Sequence, residues 1–313
     1  MHLTTSKTKR ILFAPILKLV TWLSPRYPKF VVWMRYLERM KTFPHLKHPQ
    51  TLNEKILWLA LNTDTNEWSR LTDKYSVREY IKECGLENIL VRLYGIWDNA
   101  EKIDFNKLPN SFVLKTTHGS ADVIVVKDKN KVDIDEARLK MQNKLNEHLI
   151  TSGAELHYLP INRKIIVEEF LQNDLVSTQY SKTLIDYKIW CFNGKAYYTW
   201  VCMNRFVKNK DGAEVLLYDR DWNPKPELCA VTPDFTLADP IPKPNGYDYM
   251  IEVAERLSRP FPVVRCDLYN LDGKIYFGEM TFTSYGGIMD FYSEEFQKLA
   301  GDLIDISNIP IKK

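Results

Sequence analysis

Apolar residues recur at helical spacing through the first third of the chain. Leu52, Ile56, Leu57, Leu59 and Ala60 share one side of a 3.6-residue helix. Tyr75, Val77, Tyr80 and Ile81 repeat the spacing, and Gly85 then offers a stop. From Ser111 the period shortens. Phe112-Val113-Leu114, Val123 to Val126 and Ile165-Ile166-Val167 are short β-branched runs that predict strands. Between them, Asp133 to Leu149 sets Ala137, Leu139, Met141 and Leu145 among charges and predicts a helix. Asn193-Gly194 predicts a hairpin turn joining Ile189 to Phe192 with Ala196 to Val201. The prolines at 224, 226, 233, 240, 242 and 244 predict a long loop over or beside a cleft. Met250 to Leu257 reads as a helix, and Val263 to Met280 as a last hairpin.

The whole is an α+β fold in four stretches: a basic, apolar helical segment over 1–47, a helical region over 48–110, and α+β lobes over 111–172 and 173–313. Composition narrows the class. A chain of 313 residues that is 45% hydrophobic can bury a large core. Its 43 lysines and arginines nearly balance 40 acids, so no global field favours nucleic acid and any basic site is local. Five cysteines without a C-x-x-C spacing suit inert thiols in a reducing, cytoplasmic setting. The apolar run Ile11 to Leu23 contains Lys18 and lacks a small-residue cleavage site, which predicts no signal peptide. It is also shorter than the ~20 residues that span a bilayer. With Lys7, Lys9, Arg10, Lys18, Arg26 and Lys29 around it, the stretch 7–29 suits an anionic membrane surface, at its inner face, as well as a helix docked on the protein body.

Three segments carry candidate chemistry. FVLKTTHGSADVIVV (112–126) is a strand, a lysine, a small polar turn and a second strand, so backbone N–H groups and Lys115 can face a polyphosphate. KIIVEEFL (164–171) ends a strand in Glu168-Glu169, where side chains and free backbone can meet an adenine edge and ribose hydroxyls. In VVRCDLYNLDGKIYFGEMT (263–281), a three-residue loop Leu271-Asp272-Gly273 places Asp267 opposite Phe277 and Glu279 opposite Arg265, with Thr281 extending the row. Two carboxylates on one sheet face suit Mg²⁺ bridging phosphates. Asp267, flanked by core residues, is costly without a partner.

In this order, and with HPQTLNEKILWL (48–59), LTDKYSVREY (71–80), SFVLKTTHGS (111–120), DYKIWCFNGK (186–195) and RCDLYNLDGKIYFGEMTF (265–282), the chain resembles the TupA-like family of the ATP-grasp superfamily over about residues 48–303. The resemblance implies two α+β lobes holding ATP between them, with ATP and Mg²⁺ as cofactors. It implies that Lys74 or Arg78, then Lys115, contact phosphates, and that His118-Gly119-Ser120 form a loop over them. Glu168, Glu169, Phe170 and Leu171 become an adenine hinge, and Lys188, Arg205 and Arg265 supply positive charge to the transferred phosphoryl group. Asp267, Glu279 and Thr281 become metal ligands. Two departures stand out: Ala121-Asp122 replaces the glycine that commonly follows the loop serine, and Thr281 replaces an asparagine. The implied reaction joins an amine or amino acid to a carboxylate-bearing sugar or polysaccharide precursor through an acyl phosphate, without nucleic acid. Two rivals are a metal-dependent glycosyltransferase using Asp219-Arg220-Asp221, and a non-catalytic nucleotide-binding scaffold.

Overall fold

A computed structural model describes residues 18–119, 122–147, 152–205 and 212–312. Residues 7–17 of the basic run 7–29, together with Ser120 and Ala121, lie outside them. Its helices are α1 (Pro28–Met40), α2 (Leu52–Asn62), α3 (Asn66–Thr72), α4 (Val77–Glu83), α5 (Ile134–Asn146), α6 (Tyr247–Ser258) and α7 (Glu294–Asp302). The strands are β1 (Leu93–Trp97), β2 (Phe112–Thr116), β3 (Val123–Val126), β4 (Ile165–Glu169), β5 (Asp186–Phe192), β6 (Lys195–Met203), β7 (Ala213–Asp219), β8 (Phe235–Leu237), β9 (Val263–Leu271) and β10 (Lys274–Thr281). The fold is therefore α+β with a helical N-terminal region, as expected. Two compact units form: a smaller one from Asn66–His148 and His157–Gln172, and a larger one from Met1–Thr65, Leu149–Leu156 and Asn173–Lys313. The helical stretch 48–110 is thus shared between them.

The smaller unit holds an antiparallel sheet in the order β1-β4-β2-β3. Alternation along β2 and β4 turns Phe112, Leu114, Ile165 and Val167 toward Met141 and Leu145 of α5, and all six side chains are buried. Each fully buried apolar side chain contributes about 1.5–3 kcal/mol. The other face carries Val113, Lys115, Ile166 and Glu168, which sets up the chemistry below. Strand β1 falls in a stretch read as helical. Every residue of it is half-buried and Gly95 interrupts it, so the sequence shows neither period and pairing with β4 decides the conformation.

The larger unit holds a six-stranded sheet, β10-β9-β5-β6-β7-β8. All its pairs are antiparallel except β7 with β8, so part of the proline-rich stretch extends the sheet rather than staying a loop. The turns Asn193-Gly194 and Asp272-Gly273 have positive φ at both residues (47° and 75°, 49° and 86°), the two-residue geometry whose twist matches the flanking strands. The second turn corrects the predicted register. Leu271, not Asn270, pairs with Lys274, and an irregularity at Gly278 then inserts a residue, so that Glu279 faces Asp267 and Thr281 faces Arg265. Helix α6 covers one sheet face with buried Val253, Ala254 and Leu257, and the Cys266 thiol donates to the Ala254 carbonyl at 3.8 Å.

Helix α2 starts on a reciprocal cap. The Thr51 hydroxyl accepts from the Glu54 N–H at 3.3 Å, and the Glu54 carboxylate accepts from the N–H groups of Thr51, Gln50 and His45. Burial raises the Glu54 pKa, but those donors outweigh it and hold the carboxyl below its usual range. Glu155 is the opposite case. Burial pushes it up to about 7, and the nearby Arg35 only partly offsets this. Because its folded pKa lies above the unfolded one, its contribution is fully present below the ordinary carboxylate pKa and is lost as pH rises through about 7. Glu155→Gln is therefore expected to raise the unfolding free energy at pH 8 by about 1–2 kcal/mol and to leave it nearly unchanged at pH 4. Equilibrium urea unfolding at both pH values checks this, and an equal shift at both would refute the assignment.

Candidate active site

On the face of the larger sheet opposite α6, alternation lines up charged side chains from three adjacent strands. Lys188 of β5 pairs in register with Asp267 of β9, and Asp267 with Glu279 of β10. Arg265, two residues before Asp267, pairs with Thr281. The Asp267 carboxylate is almost fully buried and both its oxygens are engaged: Arg265 Nε and Nη2 donate at 2.7 and 2.8 Å, and Lys188 Nζ donates to Oδ2. Lys188 also lies 3.9 Å from Asp186, whose other oxygen takes Arg205 Nη1 at 2.7 Å. Arg265 reaches Glu279 at 3.8 Å, the Thr281 hydroxyl at 3.3 Å and the Ser284 hydroxyl. The cost of burying Asp267 is thus offset by the protein's own cations.

The electrostatics are mutual. Burial works against the charge on Lys188, yet Asp186 and Asp267 outweigh it and raise its pKa. Burial likewise opposes the charge on Arg265, and the adjacent Asp267 carboxylate more than restores it. Asp186 chiefly raises Arg205. Among the described residues the row holds three carboxylates (Asp186, Asp267, Glu279) and three cations (Lys188, Arg205, Arg265), which balance in charge. Asp186 and Ser284 are members that the sequence reading missed. Asp186 was signalled by its place two residues before Lys188 on the same strand; Ser284 follows the last strand and gave no pattern.

Fit to a metal follows from the donor set. Among the described residues no group of three or more His, Cys, Asp or Glu side chains is arranged to hold a metal ion. The row offers two carboxylates, Asp267 and Glu279, and the Thr281 hydroxyl, which lies 3.4 Å from Glu279. These are hard oxygen donors, and the Glu279 side chain is 41% exposed at the rim. Such donors suit Mg²⁺, which commonly takes one or two carboxylates and completes its shell with phosphates and water; Glu279 is placed to offer the first, and Asp267 would join it only by exchanging Arg265 or Lys188 for the ion.

In the smaller unit, Glu168 is the centre. Its carboxylate takes Lys115 Nζ at 2.8 Å and Arg78 Nη1 at 3.2 Å, joining β2, β4 and α4. Arg78 also donates to the Val91 carbonyl at 3.0 Å. Beyond β4, Phe170 and Leu171 are half-buried in irregular backbone. The Glu169 N–H donates to the Arg92 carbonyl at 2.9 Å.

The predicted phosphate loop begins next to this cluster. Lys74 Nζ donates to the Gly119 carbonyl at 2.5 Å, and the Lys74 N–H donates to the Thr117 carbonyl at 3.1 Å. Burial lowers the His118 pKa, and one of its ring nitrogens lies 3.4 Å from the Glu147 carbonyl. Asp122, which stands beside the missing glycine, is neutralised by Lys144 at 3.1 Å and touches the Thr116 hydroxyl at 3.3 Å. A Cβ on Gly119 would come within 1.9 Å of that Asp122 carboxylate, so the glycine is what lets the two approach. Lys74, Arg78, Lys115, His118, Gly119 and Glu168 thus gather in one unit, and Lys188, Arg205, Arg265, Asp267, Glu279 and Thr281 in the other.

Asp219-Arg220-Asp221 does something different. Asp219 Oδ1 accepts from the N–H groups of Asp221 and Asn223 at 3.0 and 2.8 Å, and Lys225 lies 3.4 Å away, so this carboxylate is used to close a turn.

A family model described as TupA-like ATPgrasp matches residues 54–305. No curated protein sequence matches the chain. Similar solved structures include a D-alanine–D-alanine ligase from Bacillus anthracis complexed with ATP, at 13% identity and a TM-score of 0.41, covering 71% of this chain and 58% of that one. Another is a D-alanine–D-alanine ligase from Helicobacter pylori, at 13% identity and a TM-score of 0.42, covering 83% and 68%. A third is an N5-carboxyaminoimidazole ribonucleotide synthetase from Thermus thermophilus, at 12% identity and a TM-score of 0.40, covering 70% and 47%.

Proposed function

Because the chain belongs to the TupA-like ATP-grasp family, we propose that it is an ATP- and Mg²⁺-dependent carboxylate–amine ligase. The observation that carries this reading is the in-register pairing of Asp267 with Glu279 beside Arg265 and Lys188. A substrate carboxylate attacks the γ-phosphorus of ATP in line, the bond to the β-phosphate oxygen breaks, and an acyl phosphate and ADP form. The amine of a second substrate then attacks the acyl carbon, inorganic phosphate leaves, and the amine gives up a proton as the amide forms. Positioning and charge neutralisation supply the catalysis, and no covalent enzyme intermediate is needed.

Within that scheme Arg265, Lys188 and Arg205 stabilise negative charge on the phosphoryl group in transfer. Lys115, Arg78 and Lys74 face the phosphates of the nucleotide, with His118, Gly119 and Ser120 as their loop, and Glu168 to Leu171 take the adenosine. Asp267, Glu279 and Thr281 would hold Mg²⁺, which supplies charge neutralisation and a template for the phosphate oxygens. Equal numbers of cations and carboxylates among the described residues of the row support this dependence, since a polyphosphate entering a balanced row would bring its own positive charge. The acceptor is proposed to be a uronic acid of a surface polysaccharide or its precursor, and the amine an amino acid. Asp219 is committed to its turn, which disfavours the metal-dependent glycosyltransferase.

Differential scanning of the full chain tests the reading. Saturating Mg·ATP is expected to raise the melting temperature by several degrees, as about 2.7 kcal/mol of linkage at 100 times Kd predicts, and UDP-sugars are expected not to. Stabilisation by UDP-sugars alone would overturn it. With Mg·ATP bound, phosphate release on adding uronates and amino acids distinguishes a ligase from a scaffold.

A further inference from the structure

Helix α1 has two apolar faces. Val31, Val32 and Tyr36 are buried inward. Phe30, Trp33, Met34 and Leu37, at i, i+3, i+4 and i+7, form a second stripe that is 56%, 46%, 39% and 40% exposed. Phe43 continues the stripe at one end, its ring 5.6 Å from that of Trp33, and Trp22 in the preceding chain is likewise open; the two are 54% and 51% exposed. A helix that is apolar on both sides ordinarily has both sides covered. Here the described residues leave the outer one about half open. The inner face is firmly seated: Arg39 pairs with Asp290 at 2.6 Å, and Gly153 packs so closely under Pro28 that a Cβ would come within 2.2 Å of its carbonyl oxygen.

Charge identifies the occupant. Between residues 18 and 48 the only acid is Glu38, against Lys18, Arg26, Lys29, Arg35, Arg39, Lys41 and Lys47. Glu38 is paired with Arg35 and Arg39 with Asp290, whereas Lys18, Arg26, Lys29, Lys41 and Lys47 are exposed on helix α1 or in the chain flanking it, with Arg26 over the Trp22 ring and Lys41 donating to the Glu38 carbonyl. We propose that this face docks on an anionic lipid bilayer. The aromatic and aliphatic side chains enter the headgroup boundary while the surrounding lysines and Arg26 meet lipid phosphates. A second copy of the chain is a poor occupant, because it would bring the same cations against these. The surface is assigned to the folded helix α1 and its flanks, beyond the run 7–29 that the sequence singled out, and it does not depend on the catalytic reading.

The test is co-sedimentation of the full chain with vesicles of phosphatidylcholine alone or of phosphatidylcholine with phosphatidylglycerol. Binding is expected to the mixed vesicles only, and to weaken as salt rises. Phe30→Ser with Trp33→Ser is expected to lower the partition coefficient about tenfold or more, and Lys29→Ala or Lys41→Ala about fivefold each. Should the double serine variant melt early, the two lysine variants decide the matter. Equal binding to phosphatidylcholine alone, or binding that neither set of substitutions reduces, would overturn the proposal. So would a dimer, seen by light scattering, that the serine variant dissociates without any vesicle binding.

Discussion

Asp267→Asn is expected to destabilise the larger unit by about 3–5 kcal/mol, because it leaves the buried Arg265 and Lys188 facing a neutral amide. The geometry makes this specific. Arg265 donates twice to that carboxylate at 2.7 and 2.8 Å, and Lys188 approaches Oδ2. Asparagine keeps the shape but offers one acceptor oxygen, so at least one cation loses its charge partner. Urea unfolding checks the magnitude; a loss under 1 kcal/mol would show that Asp186 and Glu279 suffice to hold the cations. Activity lost in this variant therefore says little about chemistry, since the scaffold of the row changes with it.

Glu279→Gln separates the two effects. Its side chain is 41% exposed, 3.8 Å from Arg265 and 3.4 Å from the Thr281 hydroxyl, so its removal is expected to change stability by no more than about 0.5 kcal/mol. Loss of a carboxylate that would hold Mg²⁺ is nevertheless expected to lower ATP-dependent phosphate release about 10²–10³-fold, the range seen when one electrostatic contact to a transition state is removed. Steady-state phosphate release at several Mg²⁺ concentrations checks this. Partial recovery at high Mg²⁺ would point to the metal, and unchanged turnover would remove Glu279 from the site.

The sequence made most of the sheet legible where local chemistry is strong. Asn193-Gly194 announced its turn, and the β-branched runs around Phe112, Val123 and Ile165 became β2, β3 and β4. The strands whose conformation depends on distant partners were hidden. β1 acquires its form from β4, and β8 from a parallel partner within a proline-rich stretch. The register of the last hairpin was misplaced because Asp272-Gly273 takes a two-residue turn and Gly278 interrupts the ladder, and glycine tolerates either arrangement in a sequence. Candidate site residues were legible as charges in apolar surroundings. Their partners were not, since Lys188 meeting Asp267 or Arg78 meeting Glu168 is a matter of topology rather than spacing.

The pairing of β5 with β9 has a further consequence for how the larger sheet assembles. Hairpins β5–β6 and β9–β10 each close through a local turn, but β5 and β9 meet only after the chain has returned from far along its length. Such long-range closure is slow to form, and a slip of one residue would turn each side chain of the arriving strand to the opposite face. Under that slip Asp267 and its strand neighbour Arg265 would turn together toward the apolar helix α6, and Lys188 would lose the carboxylate it meets across the two strands. The charges of the row thus penalise misaligned joining of the two hairpins and favour one alignment.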